Sequence, residues 1–225
     1  MNKTKITAKI FLPLIKKFNE QLSALHIKRD SFLNSMLQSE IKYLAAEMKG
    51  KKLSKNAKKY IAGELKRMGK DRLETVNIVV DKDVAEALNK IVESSNLVRD
   101  AFINRLILLL RSSNEFLTLM ELPTSLTASE FDAAEYMPCS PLKTIESVMA
   151  DPLYYLRIAS EERFGKGLYE LELPSAFIGF SCYIDDDVVP GTVAYSEQMK
   201  ISEALMNELL TLESGSETQI MEAKK

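Results

Sequence analysis

Lysine offers this chain its most conspicuous chemistry, and its placement is uneven. Residues 1–111 carry 23 Lys and Arg against 12 Asp and Glu, a net of +11. Residues 112–225 carry 7 against 20, a net of −13. The densest stretch is KGKKLSKNAKKYIAGELKRMGKDR, residues 49–72. Ammonium groups at that density attract phosphate oxygens, whether of a nucleic acid or an anionic membrane surface, and make binding sensitive to salt. Within the same stretch Leu53, Ala57, Tyr60, Ile61, Leu65 and Met68 fall near helical spacing. The stretch is therefore expected to be partly helical with its lysines outward. A solvated helix face is the plainer use of such a charge run.

Other chemistry is thinly provided. The single histidine, His26, leaves little room for histidine-based catalysis or a histidine metal site. Cys139 and Cys182 lie far apart, form no CxxC, and suit reduced thiols in a cytoplasm. Asp185-Asp186-Asp187 lacks the spaced further ligands of a cation loop and reads as a solvated turn. Gly165-Lys166-Gly167 lacks the rest of a phosphate loop. No enzyme, cofactor or metal is expected. The longest apolar run, LILLLR at 106–111, is far too short to span a membrane, and residues 1–13 have no export signal, so a cytoplasmic protein without a membrane partner is expected.

The elements that would position the basic residues occur twice. KITAKIFLP, residues 5–13, alternates Ile6, Ala8, Ile10 and Leu12 with Lys5, Thr7, Lys9 and Phe11, the period of a strand. Pro13 suits the first turn of a following helix. That helix sets Leu14, Ile15, Phe18, Leu22 and Leu25 on one side. After a break at His26-Ile27-Lys28, a second helix from Arg29 buries Phe32, Leu33, Met36, Leu37, Ile41 and Leu44. The order then returns. ETVNIVV, residues 74–80, alternates Val76, Ile78 and Val80 with Thr75, Asn77 and Val79. Asp81 takes the helix-start place of Pro13, and Val84, Leu88, Ile91 and Val92 form a helical stripe. A break at Asn96-Leu97-Val98 precedes a helix with Phe102, Ile103, Leu106, Ile107 and Leu110. IKRDSFLN at 27–34 and LVRDAFIN at 97–104 mark the same bend, so the strands read as offset by 68 residues and the last helices by 70.

Each copy resembles a ribbon-helix-helix domain of the Arc/MetJ/CopG type. ITAKIFLP and VNIVVD match the ribbon, and HIKRDSFLN and NLVRDAFIN match the bend into the second helix. The resemblance covers residues 4–111 and implies a mostly helical fold with a two-stranded antiparallel ribbon. Two copies in one chain can form an intramolecular pseudo-dimer by pairing strand 5–12 with strand 74–80; pairing with a second chain is the alternative. The resemblance further implies a ribbon that reads double-stranded DNA in the major groove through Thr7, Lys9 and Phe11 of one strand and Thr75, Asn77 and Val79 of the other. Phe11 serves equally well for packing against a neighbouring element. Lys5, Lys28, Arg29 and Arg99 are the implied phosphate contacts, the last three at the starts of the second helices. Arg29-Asp30 and Arg99-Asp100 could instead be helix caps. Lys28 and Val98 depart from the family's frequent Ser or Thr cap, and His26 stands where the family often has Gly.

The remaining half matches no family pattern. Residues 112–212 are expected to form a separate acidic α+β domain: helices broken at Pro152, two strands within GLYELELPSAFIGFSCYID, and an amphipathic helix with Ile201, Leu205, Leu209 and Leu210. Residues 1–48 and 74–111 are then the two copies, 49–73 a basic, partly helical linker, and 213–225 a disordered tail. An acidic domain suits self-association, a protein partner or a small effector. The function implied is a sequence-specific DNA-binding regulator of transcription, of the kind carried by plasmids or other mobile elements. An accessory protein of a conjugative DNA-processing complex, and an antitoxin-type protein-binding regulator, are the alternatives.

Overall fold

The computed structural model describes residues 2–68, 72–125 and 140–200. It is mostly helical with one two-stranded antiparallel sheet. The chain divides into two units, Met1–Tyr183 and Ile184–Lys225. In the described part of the second unit, a 3-10 turn at Asp186–Val188 precedes helical backbone over 193–200, where the Thr192 hydroxyl accepts the Tyr195 N–H. Everything else concerns the first unit.

Strand β1 spans Lys3–Phe11 and β2 spans Leu73–Asp81. They pair antiparallel within the chain, with Thr7 opposite Asn77 at the centre, Lys3 opposite Asp81 at one end and Phe11 opposite Leu73 at the other. Alternation does what it should: Ile6, Ala8, Ile10, Val76, Ile78 and Val80 are buried on one side. Helix α1, Leu12–Ala24, follows β1 without a loop and carries Pro13 in its first turn. It buries Leu14, Ile15, Phe18 and Leu22. Helix α4, Lys82–Ser94, follows β2 in the same way and buries Val84, Ala85 and Leu88.

Both first helices stop by the same device. His26 and Asn96 adopt left-handed φ of 58° and 56°. Ile27 N–H reaches back to Leu22 C=O, and Leu97 N–H to Val92 C=O, each at 2.9 Å. This is the Schellman closure, with an apolar residue on either side of it. His26 thus fills a position that glycine or asparagine fills more cheaply. Leu25, expected on the inner stripe, falls just past the helix end and is 65% exposed.

The second helices are α2, Arg29–Glu47, and α5, Arg99–Leu110. Strand, helix and helix all recur at an offset of 70: 3–11 against 73–81, 12–24 against 82–94, and 29 against 99. The offset of 68 expected for the strands is therefore corrected to 70. A period-two pattern survives a slide of two residues unchanged, so alternation alone could not distinguish them; the pairing does. Phe11, not Pro13, is the counterpart of Asp81.

Helix α3, Lys55–Met68, occupies the basic stretch and buries Ala57, Ile61 and Leu65, with Lys55, Lys59, Lys66 and Arg67 outward. After α5 come α6, Asn114–Leu119, α7, Pro141–Ala150, and α8, Tyr154–Phe164; Asp151-Pro152-Leu153 separates the last two, as expected. The strands expected within 167–185 are absent. Ser175–Phe180 is a 3-10 helix that buries Phe180, and the rest is irregular chain that still buries Leu168, Tyr169, Leu171 and Cys182.

Nor do residues 112–183 form a domain of their own: the unit boundary lies between Tyr183 and Ile184. Helix α2 carries Glu40, fully buried, within its apolar stripe. Its carboxylate accepts Arg157 Nη2 at 2.9 Å and the Tyr169 hydroxyl at 2.6 Å. Glu47, one end of the same helix, accepts the N–H groups of Tyr169 and Glu170 at 2.7 and 3.1 Å. A Cβ at Gly167 would lie 2.1 Å from the Glu47 carboxyl carbon, so only glycine permits this approach. From α5, Arg105 donates Nε to Leu168 C=O at 2.8 Å and Nη2 to Leu171 C=O at 2.5 Å. Charged side chains take the role a partner strand would have played for the backbone of 168–171, which explains alternation without a sheet. Gly179 lies against the backbone of Leu65 on α3, where an added Cβ would sit 2.6 Å from its nitrogen. Wrapped this way, α5 is buried all round from Ala101 to Leu109. Burial pushes the Cys182 thiol up to about 12, so it stays protonated. The disordered tail expected for 213–225, the amphipathic helix residues Ile201 to Leu210, and Cys139 lie outside the described residues.

Candidate nucleic-acid interface

The outer side of the β1–β2 sheet is open. Lys3, Lys5, Thr7 and Lys9 on β1, and Thr75 and Asn77 on β2, are exposed, with Val79 half-buried. The Thr7 hydroxyl donates to Asn77 Oδ1 across the strands at 2.8 Å. Lys9 stands opposite Thr75 and Lys5 opposite Val79, so each lysine faces a small residue on the other strand. Phe11, also of outward parity, is half-buried, its ring centroid 6.3 Å from that of Phe180. Of the two uses open to it, packing is the one the structure displays.

A two-stranded sheet has only edges, and each edge leaves backbone groups without partners. The repeated Arg-Asp-x-x-x-Asn satisfies several of them. From α2, Arg29 Nη2 donates to Asn77 C=O at 3.0 Å, Asp30 accepts the Val79 N–H at 3.2 Å, and Asn34 exchanges two 2.8 Å bonds with Asp81. From α5, Arg99 Nη2 donates to Thr7 C=O at 2.7 Å, and Asn104 accepts the Phe11 N–H and donates to Lys9 C=O, both at 2.9 Å. Asp100 accepts the Lys9 N–H; burial raises its carboxyl above the ordinary value, with that hydrogen bond and the Arg99 charge opposing. Each second helix thus clamps the strand of the other copy: the arginine, aspartate and asparagine Oδ1 partners are shifted by 70, while the asparagine Nδ2 meets the Asp81 carboxylate in one clamp and Lys9 C=O in the other. The clamp holds the ribbon's outward side chains in fixed register.

Of the residues expected at phosphate, Lys5 and Lys28 are exposed. Arg29 and Arg99 are half-buried and tied to ribbon carbonyls, and Arg29 also pairs with Asp30 at 2.7 Å. Neither second helix has a side-chain cap at its start. The edge role of Asp30, Asn34, Asp100 and Asn104 is not evident from composition or period. Its signal was the recurrence of Arg-Asp and Asn at fixed spacing, which reads equally as a cap. Arg105, Glu40 and Glu47 gave no signal, being single charges within apolar stripes. Among the described residues no group of His, Cys, Asp and Glu could hold a metal ion, and no helix is long and apolar enough to cross a membrane.

No protein-family model, curated protein or solved structure matches this chain.

Proposed function

We propose that the chain is a sequence-specific double-stranded DNA-binding protein that regulates transcription, built as two ribbon-helix-helix units folded into one pseudo-dimer. The observation that carries this reading is the intrachain pairing of β1 with β2, with Lys5, Thr7, Lys9, Thr75 and Asn77 exposed on one side and the edges clamped from below. A two-stranded ribbon fits the width of the B-DNA major groove. Lysine ammonium groups there can donate to guanine O6 and N7, a carboxamide can pair with adenine, and threonine can bond a base edge or touch a thymine methyl. Phe11 drops out of the reading set, and Lys5, the counterpart of Thr75, enters it. Exposed Lys28 at the start of α2 supplies a phosphate contact beside the groove.

The two halves of the reading face differ: Lys5 answers to Thr75, Thr7 to Asn77, and Lys9 to Val79. One chain should therefore select a non-palindromic core. Selection from random duplex DNA tests this, run in parallel with Lys9→Ala and Asn77→Ala. A distinct consensus whose two halves change separately in the two variants is expected. An unaltered consensus in both variants would remove the ribbon as reader.

A further inference from the structure

Phe11, Phe116, Phe177 and Phe180 wall a cavity of about 190 Å³ beside the first turns of α1 and the end of α5. The rings interlock: Phe116 meets Phe177 edge-on at 5.7 Å between centroids, and Phe180 lies 6.1 Å from Phe177 and 6.3 Å from Phe11. Two cations, Lys17 of α1 and Arg111 at the end of α5, complete the lining. The Arg111 Nε is buried and has no hydrogen-bond partner among the described residues. Among the described residues, neither cation enters an ion pair. The Arg111 Nε has no accessible surface and so does not itself face the cavity; a carboxylate inside would meet the guanidinium at its terminal nitrogens, with charge-assisted bonds.

Size and wall chemistry narrow the occupant. An apolar cavity of roughly 150 Å³ takes one benzene ring. Four phenylalanines favour an aromatic guest through edge-to-face and offset contacts. We propose that this cavity binds a small carboxylic acid built on a single aromatic ring, the ring among the phenylalanines and the carboxylate on Arg111, with Lys17 adding positive charge at the rim. This inference does not depend on DNA binding.

Benzoate titrated into the full chain by calorimetry tests it, with benzyl alcohol as the uncharged match of similar shape. Saturable benzoate binding with Kd near or below about 1 mM is expected, a value ordinary for so small a ligand. Benzyl alcohol should bind about tenfold or more weakly, because the charge-assisted bonds are lost. Arg111→Gln should lose a similar factor for benzoate and nothing for benzyl alcohol, with an unchanged far-ultraviolet spectrum. The proposal is overturned by the absence of saturable benzoate binding up to about 10 mM, or by equal affinities of the two ligands for the unaltered chain. Because that second comparison uses no variant, it decides even if Arg111→Gln fails to fold.

Discussion

The two copies, residues 3–47 and 73–110, agree in most of the bonds that hold the sheet and differ where they face outward or back. The left-handed turn, the arginine on the opposite strand's carbonyl and the asparagine on its edge all recur at an offset of 70. The outward residues do not recur: Lys5, Thr7 and Lys9 stand against Thr75, Asn77 and Val79. Nor do the helix backs, since Glu40 and Glu47 belong to α2 alone and Arg105 to α5 alone. A repeated unit can keep its framework while its outward side chains differ between copies, as the proposed reading of two unlike half-sites requires, and its helix backs differ to accept the wrap of 150–183.

The largest effect should come from breaking that wrap. Glu40→Ala leaves the Arg157 guanidinium and the Tyr169 hydroxyl without their shared buried acceptor. Removing one member of a buried ion pair costs about 3–5 kcal/mol; Asp151, which also pairs with Arg157 at 3.1 Å, places the expected loss near the low end of that range. Urea unfolding measures it. A loss below about 1 kcal/mol, the scale of an exposed pair, would mean the wrap is not held through Glu40.

The clamp is the symmetric counterpart, and it should break unequally. Asn104→Ala strands the Phe11 N–H and the Lys9 C=O, and Asn104 is fully buried. Asn34→Ala strands the Asp81 N–H, but Asn34 is only half-buried, so water can reach what it leaves. About 1–3 kcal/mol is expected for Asn104→Ala, and less for Asn34→Ala. Amide exchange at Phe11 and Asp81 should accelerate selectively in the respective variants. Equal losses would show that the wrap around α5 does not tighten its clamp.

Next in size is the asymmetry of the proposed reading face. Lys9→Ala should lower the salt slope of duplex binding by about one. Val79→Ala, at the equivalent place in copy two, should leave the slope unchanged. Identical slopes in both variants would place Lys9 away from the phosphates and bases.

Legibility followed the same division. The strands, four helices, two bends and their order were visible because each has a period or a breaker of its own. The register was not, since sliding by two residues preserves every inward and outward side chain. The wrap was not, because 168–173 alternates like a strand while the backbone of 168–171 is satisfied by Glu47 and Arg105, residues 63 to 123 positions away in the chain. Acidic composition then suggested a boundary at 112 where packing places none. On the outer face of the ribbon, the exposure of Thr7, Lys9, Thr75 and Asn77 followed from parity, while the half-burial of Phe11 depended on Phe180, which no local pattern could bring near it.

The smallest effect concerns pH and isolates one anchor of the wrap. Burial holds the Glu47 carboxyl above the ordinary glutamate value, against the hydrogen bonds from Tyr169 and Glu170 and the charge of Arg105. A carboxyl raised on folding favours the folded state most when protonated. Its contribution is whole below the unfolded value, near about 4.3, and is lost as pH rises through the elevated folded value. Glu47→Gln removes this titration yet keeps an oxygen for both N–H groups, because both bonds end on Oε2. Stability of the variant relative to the unaltered chain should therefore improve from about pH 4 towards neutrality. Asp100, raised by burial in the other copy's clamp, titrates in both proteins and cancels from the difference. A difference flat across that range would mean that Glu47 is solvated, and that the turn at Gly167 stands off from α2.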